Sequence, residues 1–248
     1  MDRRHRLDVE LVARGLVATR ARARDLILRG EVLVSGCVAT KAGQTVSDAD
    51  VLVLKSGPAD YVSRGALKLQ HALEHFGFSG HGVTAIDVGA STGGFTETLL
   101  KAGADRVYAI ENGRGQLHPR LQDDPRVISF EGFDARNLNR QQVPDPVTAI
   151  VADVSFLPLV RVLPAALDLA VDGCWLVTLV KPQFEVPGSL VPRSGVVRDA
   201  AVHRQAIETV RAWLVARAGW HLQGTTASPI KGGDGNTEFL LGATYRAG

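Results

Sequence analysis

Apolar residues change their spacing along the chain, and each change marks an element. Leu7, Leu11 and Val12 recur at helical spacing, and Gly15 stops that run. Thr19 is placed to cap a second helix with Ala23, Leu26 and Ile27 inward and Gly30 at its end. Strand-like runs follow: Val32-Leu33-Val34, Val38 beyond a Ser35-Gly36 turn, and Val51-Leu52-Val53-Leu54. Residues 55–60 are turn-rich and aperiodic, which predicts a linker. Ser63 then caps a predicted helix with Ala66, Leu69, Leu73 and Phe76 on one face and Lys68 beside that face. From there short buried runs alternate with helical ones. Strands are expected at 83–88, 106–111, 127–130, 149–153 and 175–181. Helices are expected at 95–102, around Pro164, which interrupts its stretch, and at 199–218, where Ala206, Val210, Trp213 and Leu214 point inward. Two last runs, 221–230 and 238–245, flank the turn Gly232-Gly233-Asp234-Gly235-Asn236 and predict a hairpin.

The pattern predicts a small α+β domain over residues 1–54 and a larger α/β domain over 61–248, its sheet mostly parallel with a C-terminal antiparallel hairpin. The larger domain is organised around Ile86-Asp87-Val88-Gly89-Ala90-Ser91-Thr92-Gly93-Gly94-Phe95-Thr96. Strand, glycine loop and helix in that order open a Rossmann-like nucleotide site. Glycines let backbone approach a ligand, and the new helix offers free N–H groups. Asp87 would repel a pyrophosphate but suits a ligand with a cationic head, such as S-adenosylmethionine. The spacing departs from G-x-G-x-x-G, because Ser91 stands at the second glycine. It matches G-x-S-x-G, the nucleophile elbow of hydrolases. That fold needs several strands ahead of the serine and a late histidine. Only one small module precedes Ser91, and neither His203 nor His221 lies in a glycine- or acid-rich stretch.

Other apolar strands also end in polar residues. Glu111 follows the loop by about twenty residues, where a nucleoside-binding fold places an acid for ribose hydroxyls. Asp134 follows the third strand and either takes an adenine amino group or caps its own loop. Asp153 and Lys181 end the next two strands. Ligands bind at the carboxyl ends of parallel strands, so Asp87, Glu111, Asp153 and Lys181 share one rim. Lys68 and Glu238 bring a second cation and a further acid from other segments. Such a group can bind a weakly acidic hydroxyl, stabilise its alkoxide and accept its proton.

Charge refines the picture at one end. Net charge is +2, but residues 1–30 hold eight Arg against four acids, which is +4 and leaves −2 for the remainder. A basic arm on a near-neutral body points to nucleic acid or to a solvated helix face. Cys37 and Cys174 lack metal-type spacing and the seven histidines are scattered, so neither a metal site nor a disulfide framework is expected. No apolar run reaches membrane-spanning length and Met1-Asp2-Arg3-Arg4 leads into no signal-peptide core, so a cytoplasmic protein without a membrane partner is expected.

Arg6-Leu7-Asp8, Leu11-Val12, Gly15-Leu16, residues 20–23, Gly30-Glu31-Val32, Val34, Gly36 and Lys41 make the first module resemble the S-four-type RNA-binding domain. That likeness implies binding to structured RNA, with Arg4, Arg6, Arg20, Arg22, Lys41 and, in the second domain, Arg64 as candidate contacts. Lys68, Asp153, Lys181 and Glu238 resemble the K-D-K-E tetrad of FtsJ-like ribose 2′-O-methyltransferases. The words around them sharpen the likeness: residues 61–69, Asp153-Val154-Ser155-Phe156, Lys181-Pro182-Gln183-Phe184-Glu185, Ser228-Pro229-Ile230 and Gly235-Asn236-Thr237-Glu238-Phe239-Leu240. With the first module, the whole chain is similar to the TlyA, or haemolysin-type, family. The resemblance implies a class I methyltransferase sheet, S-adenosyl-L-methionine as cofactor, and 2′-O-methylation of cytidine in the ribosomal RNA of ribosomal subunits. It assigns catalysis to Lys68, Asp153, Lys181 and Glu238, and the cofactor to Asp87, Gly89, Ser91, Thr92, Gly93, Gly94, Glu111 and Asp134. Glu111 stands where the family more often has aspartate, and Asp134 where asparagine is common. Amino methyltransferases use an Asn/Asp-Pro-Pro-aromatic loop after the fourth strand; Asp153-Val154-Ser155-Phe156 lacks the prolines, which argues against an exocyclic amine as acceptor. A non-catalytic ribosome-assembly or RNA-binding protein, a membrane-lytic haemolysin and a NAD-linked oxidoreductase are the alternatives.

Overall fold

The computed structural model describes residues 4–17, 19–28, 30–54 and 61–248, in two compact units, Met1–Asp60 and Tyr61–Gly248. The linker expected at 55–60 lies outside the described residues. The first unit contains β1 (Arg4–Arg6), α1 (Leu7–Ala13), α2 (Arg20–Leu28), β2 (Val32–Val34), β3 (Cys37–Val38), β4 (Thr45–Ser47) and β5 (Leu52–Leu54). Both helices end at glycines in the left-handed region, Gly15 and Gly30. Thr19 acts as expected, its hydroxyl accepting the Arg22 N–H at 3.2 Å. β2 is the centre of an antiparallel β3-β2-β5 sheet. Leu7, Leu11, Ala23, Leu26, Ile27, Val32 and Val34 form the core against it. β1 has no counterpart in the sequence pattern, because Arg-His-Arg carries no apolar alternation. It is a strand through its antiparallel pairing with β4.

The second unit continues with α3 (Gly65–Phe76), β6 (Thr84–Val88), α4 (Gly94–Lys101), β7 (Arg106–Glu111), α5 (Pro119–Gln122), β8 (Val127–Glu131), β9 (Val147–Ala152), α6 (Leu159–Val162), α7 (Pro164–Leu167), β10 (Ala170–Val180), α8 (Pro182–Glu185), α9 (Ala200–Val215), β11 (Trp220–Ala227) and β12 (Phe239–Tyr245). Seven strands lie in the order β11-β12-β10-β9-β6-β7-β8. β12 runs antiparallel between β10 and β11, and the other neighbouring pairs are parallel. β9 shows why the central strands read as unbroken apolar runs. Ala149 and Val151 pack into one core, with Leu69, Phe95 and Leu99. Ile150 and Ala152 pack into the other, with Leu159, Val210 and Leu214. Helices thus cover both faces and leave the strands' carboxyl ends as the open rim.

Two expectations about α3 need correction. Ser63 is not its N-cap: Arg64 occupies that position without a side-chain cap, and the Ser63 hydroxyl accepts from Gly65 N–H at 3.3 Å. Ser63 instead packs against the glycine loop, where a Cβ on Gly94 would lie 2.1 Å from its Oγ. Lys68 is not beside the buried face but within it, with Ala66, Leu69 and Ala72. Its charge is matched by acids arriving from distant segments.

Candidate active site

Lys68 leaves α3, Asp153 follows β9, Lys181 follows β10 and Glu238 precedes β12. The fold brings these four side chains together. Lys68 Nζ lies 2.6 Å from Glu238 Oε2 and 3.8 Å from Asp153 Oδ2. Lys181 Nζ lies 2.6 Å from Asp153 Oδ1 and donates to Ser155 Oγ at 2.9 Å. The two 2.6 Å contacts are ion pairs whose angles fall outside hydrogen-bond geometry. Lys68, Lys181 and Glu238 are buried, and Asp153 joins the two lysines. Two positive and two negative charges therefore share one desolvated cluster, a burial tolerated only because each is paired.

Beside the tetrad opens a cavity of about 600 Å³ lined by Gly89, Ser91, Glu111, Gly113, Asp134, Asp153 and Phe156, among others. Of the eight residues expected at the cofactor, Gly89, Ser91, Glu111 and Asp134 line it; Asp87, Thr92, Gly93 and Gly94 do not. Asp87 lies fully buried under the loop, accepting from the Thr96 hydroxyl at 2.7 Å. Its other oxygen, Oδ1, has no hydrogen-bond partner among the described residues. Burial above all pushes its carboxyl up to about 7, against the Thr96 hydrogen bond, and the charges of Asp153 and Glu111 add to the rise.

The glycines also let the protein close on itself. A Cβ on Gly89 would meet the Asp153 carbonyl oxygen at 2.7 Å, and one on Gly93 would meet Leu121 Cδ1 at 2.2 Å. They permit backbone and core to close on one another, and Gly89 N–H and Ala90 N–H both donate to the Ile110 carbonyl. Ser91 itself takes a left-handed φ of 48°. Its N–H donates to Glu111 Oε2 at 3.0 Å. Asp134 shows the capping alternative: it accepts from Arg136 N–H at 3.0 Å, and the Arg136 guanidinium holds it below the usual carboxylate range.

Sequence reasoning missed several residues here. Phe156 is 85% exposed at φ 71°, with its ring 5.5 Å from that of Phe184. An aromatic that is both exposed and left-handed is strained and uncovered, and it lines the cavity. Glu185 accepts from Leu159 N–H at 3.0 Å, tying α8 to the loop that carries Asp153, Ser155 and Phe156. Asn236 is buried and accepts from Val197 N–H at 2.9 Å while donating to the Gly195 carbonyl at 3.0 Å, two residues from Glu238. The words Asp-Val-Ser-Phe, Lys-Pro-Gln-Phe-Glu and Gly-Asn-Thr-Glu held these residues, but nothing in their spacing names the partners.

In the first unit, Asp8 is fully buried and accepts from Arg6 Nε at 2.9 Å and Arg20 Nη2 at 3.1 Å. Arg6 and then Arg20 hold its carboxyl down to about 2, although burial opposes them. Both arginines remain more than half exposed. Arg22 pairs with Asp25 at 3.7 Å, while Arg4 and Lys41 lie exposed. Arg64, in the second unit, donates to the Lys231 carbonyl at 3.5 Å, at the far limit of a hydrogen bond.

Comparison with known proteins covers both units. A sequence model described as FtsJ-like methyltransferase matches residues 61–245, and one described as S4 domain matches residues 5–52. The 16S/23S rRNA (cytidine-2′-O)-methyltransferase TlyA of Mycobacterium tuberculosis strain H37Rv is 44% identical over 97% of this chain and 90% of its own. Hemolysin A of Brachyspira hyodysenteriae is 36% identical over 95% of this chain and 98% of its own. A solved Streptococcus thermophilus structure described as a hemolysin superposes with a TM-score of 0.78, at 39% identity, over 98% of this chain and 89% of that one. Matched along nearly its whole length in both units, the chain belongs to the TlyA family of FtsJ-like methyltransferases.

Proposed function

We propose that the protein transfers a methyl group from S-adenosylmethionine to the ribose 2′-hydroxyl of cytidine in ribosomal RNA. One observation carries the reading: Lys68, Asp153, Lys181 and Glu238, from four separate segments, meet, and Asp153 joins their cluster to the wall of a cavity large enough for a nucleoside. The residues present fit a cationic donor. Glu111, Asp134 and Asp153 bring carboxylates to the cavity wall, and Asp87, beneath the loop, keeps one buried oxygen without a partner among the described residues. Glu111 would hold the ribose and Ser91 and Gly89 would lie along the donor, with Asp87 acting from beneath the loop. When bound, the donor supplies a methyl group already attached to a good leaving group.

The chain's task is then to hold the acceptor oxygen and manage its proton. Lys181 is oriented by Asp153 and Ser155. It passes one ammonium proton to Asp153, 2.6 Å away, takes up the 2′-hydroxyl proton as the O–H bond breaks, and so stays positively charged beside the 2′-oxygen. Lys68, held by Glu238, adds a second positive charge to the same cluster. Phe156 offers an open aromatic face beside the tetrad on which the acceptor base can stack. Arg6 and Arg20, aimed by Asp8, would meet the phosphates of the same RNA from the first unit.

The test is incubation with tritiated S-adenosylmethionine and separated ribosomal subunits that lack the modification, followed by mapping. Label at a cytidine 2′-oxygen is expected. Label on a base, or none, overturns the reading. The name of the Brachyspira relative supports a second reading, lysis of cells; erythrocyte lysis by purified protein carrying Lys181→Ala would separate lysis from methyl transfer.

A further inference from the structure

We propose that the Gln116 side-chain amide holds the place of the donor's ribose diol on Glu111 and rotates away when the donor binds. The inference rests on the donor-site reading above and adds a residue that neither the tetrad nor the glycine loop implies.

The loop 112–118 joins β7 to α5 and lines the cavity through Asn112, Gly113 and Gln116. Its backbone is fastened by two strand-end acids. Gly113 N–H donates to Glu111 Oε1 at 2.7 Å. Glu131, the register partner of Glu111 on the neighbouring strand, accepts from the N–H groups of Gly115 at 2.9 Å, Gln116 at 2.6 Å and Leu117 at 2.9 Å. Against this fixed backbone the exposed Gln116 side chain spans two groups. Its Nε2 donates to Glu111 Oε1 at 3.3 Å, and its Oε1 accepts from the Ser91 hydroxyl at 3.2 Å. A Cβ on Gly113 would lie 1.7 Å from Gln116 Nε2, so that glycine is what lets the amide reach the acid.

Each carboxylate oxygen accepts about two hydrogen bonds. Oε1 of Glu111 already has two donors, Gly113 and Gln116, whereas Oε2 has one, Ser91 N–H. A vicinal diol that spans both oxygens needs one position on each. Oε2 offers one, and Oε1 offers one only after a donor leaves. Gly113 N–H is fixed in the backbone and makes the shorter bond. Gln116 makes the longest bond to this carboxylate and is open to water, so it leaves by side-chain rotation without any opening of the loop. The same rotation frees the Ser91 hydroxyl.

The experiment is calorimetric titration of the full-length protein with S-adenosylhomocysteine and with its 2′,3′-dideoxy analogue. Gln116→Ala should bind S-adenosylhomocysteine about three- to tenfold more tightly, the worth of one exposed hydrogen bond. Its affinity for the dideoxy analogue should not change, because that ligand asks nothing of Glu111. Weaker or unchanged S-adenosylhomocysteine binding, or an equal shift for both ligands, overturns the proposal. Glu111→Ala checks the reading underneath: if it leaves S-adenosylhomocysteine affinity intact, the donor-site assignment itself fails, whatever Gln116→Ala does.

Discussion

The two units each hold a cluster of acids and cations, built with opposite exposure. Around Asp8 the acid is sealed from water while the Arg6 and Arg20 side chains stay 52% and 59% exposed. Around Asp153, whose side chain is 22% exposed, it is the cations that are sealed, with the Lys68 and Lys181 side chains 9% and 10% exposed. The difference separates recognition from chemistry. A buried carboxylate that grips one edge of a guanidinium aims it and leaves its other donors for an external phosphate. A buried lysine has already lost its water, so its charge acts at full strength on whatever enters beside it.

The sharpest way to break this contrast is Lys181→Ala. Methyl transfer should fall by roughly 10²–10⁴-fold, the usual worth of a positioned acid–base group. S-adenosylhomocysteine binding, followed by calorimetry, should persist. Wild-type turnover in that variant would remove Lys181 from the chemistry. The next largest effect belongs to the other cluster. Arg6→Ala with Arg20→Ala should weaken ribosomal RNA binding by about tenfold or more. It should also lower the slope of log affinity against log salt by about one for each phosphate no longer neutralised, while donor affinity stays put. An unchanged salt slope would show that these arginines face no phosphate.

Asp8→Asn should weaken RNA binding less, by about threefold, since an amide still accepts one hydrogen bond but no longer attracts both cations. It carries a pH signature. The Asp8 carboxyl sits at about 2, below its ordinary 3.8. Its ionised form therefore stabilises the fold fully above that ordinary value, and the contribution is lost as pH falls through 2. Acid unfolding of wild type and Asp8→Asn should converge at the acid end and diverge near neutrality.

The smallest effect has the reverse sign. Burial lifts Glu185 to about 7 from 4.5, with the Leu159 hydrogen bond only partly opposing it. The folded state holds that proton more tightly than the unfolded chain does, so stability is greatest below 4.5 and declines as pH rises through 7. Glu185→Gln should flatten part of that decline, seen as a melting temperature about 2–4 °C less sensitive to pH across the interval. Asp87 shares the sign and should leave a residual slope.

How much of this is legible in the sequence differs between strands and contacts. β7 spans 106–111 as its apolar run predicts, and the helix expected at 199–218 is α9, with Asp199 not in the helix but capping it, accepting from Ala201 N–H at 2.7 Å. β1 is invisible along the chain because nothing in Arg-His-Arg marks it as a strand before β4 is in place. Helical period alone puts Lys68 beside the buried face, because it treats a lysine as solvent-facing; the burial of Lys68 follows from Glu238, 170 residues later in the chain. Position alone leaves Asp134 between ligand and cap. Arg136, two residues away, supplies a cap and an ion pair that spacing cannot weigh.

Order, period and strand-end chemistry along the chain were enough to divide it into two units and to place polar groups on one rim, because burial imprints its own rhythm on the residues that undergo it. Which of those groups touch was decided in three dimensions. Gly89 and Gly94 close on Asp153 and Ser63, and Gln116 settles on Glu111. Such pairings depend on how far separate segments approach one another, a distance set by the packing of the entire sheet and its helices and recorded at no single position of the chain.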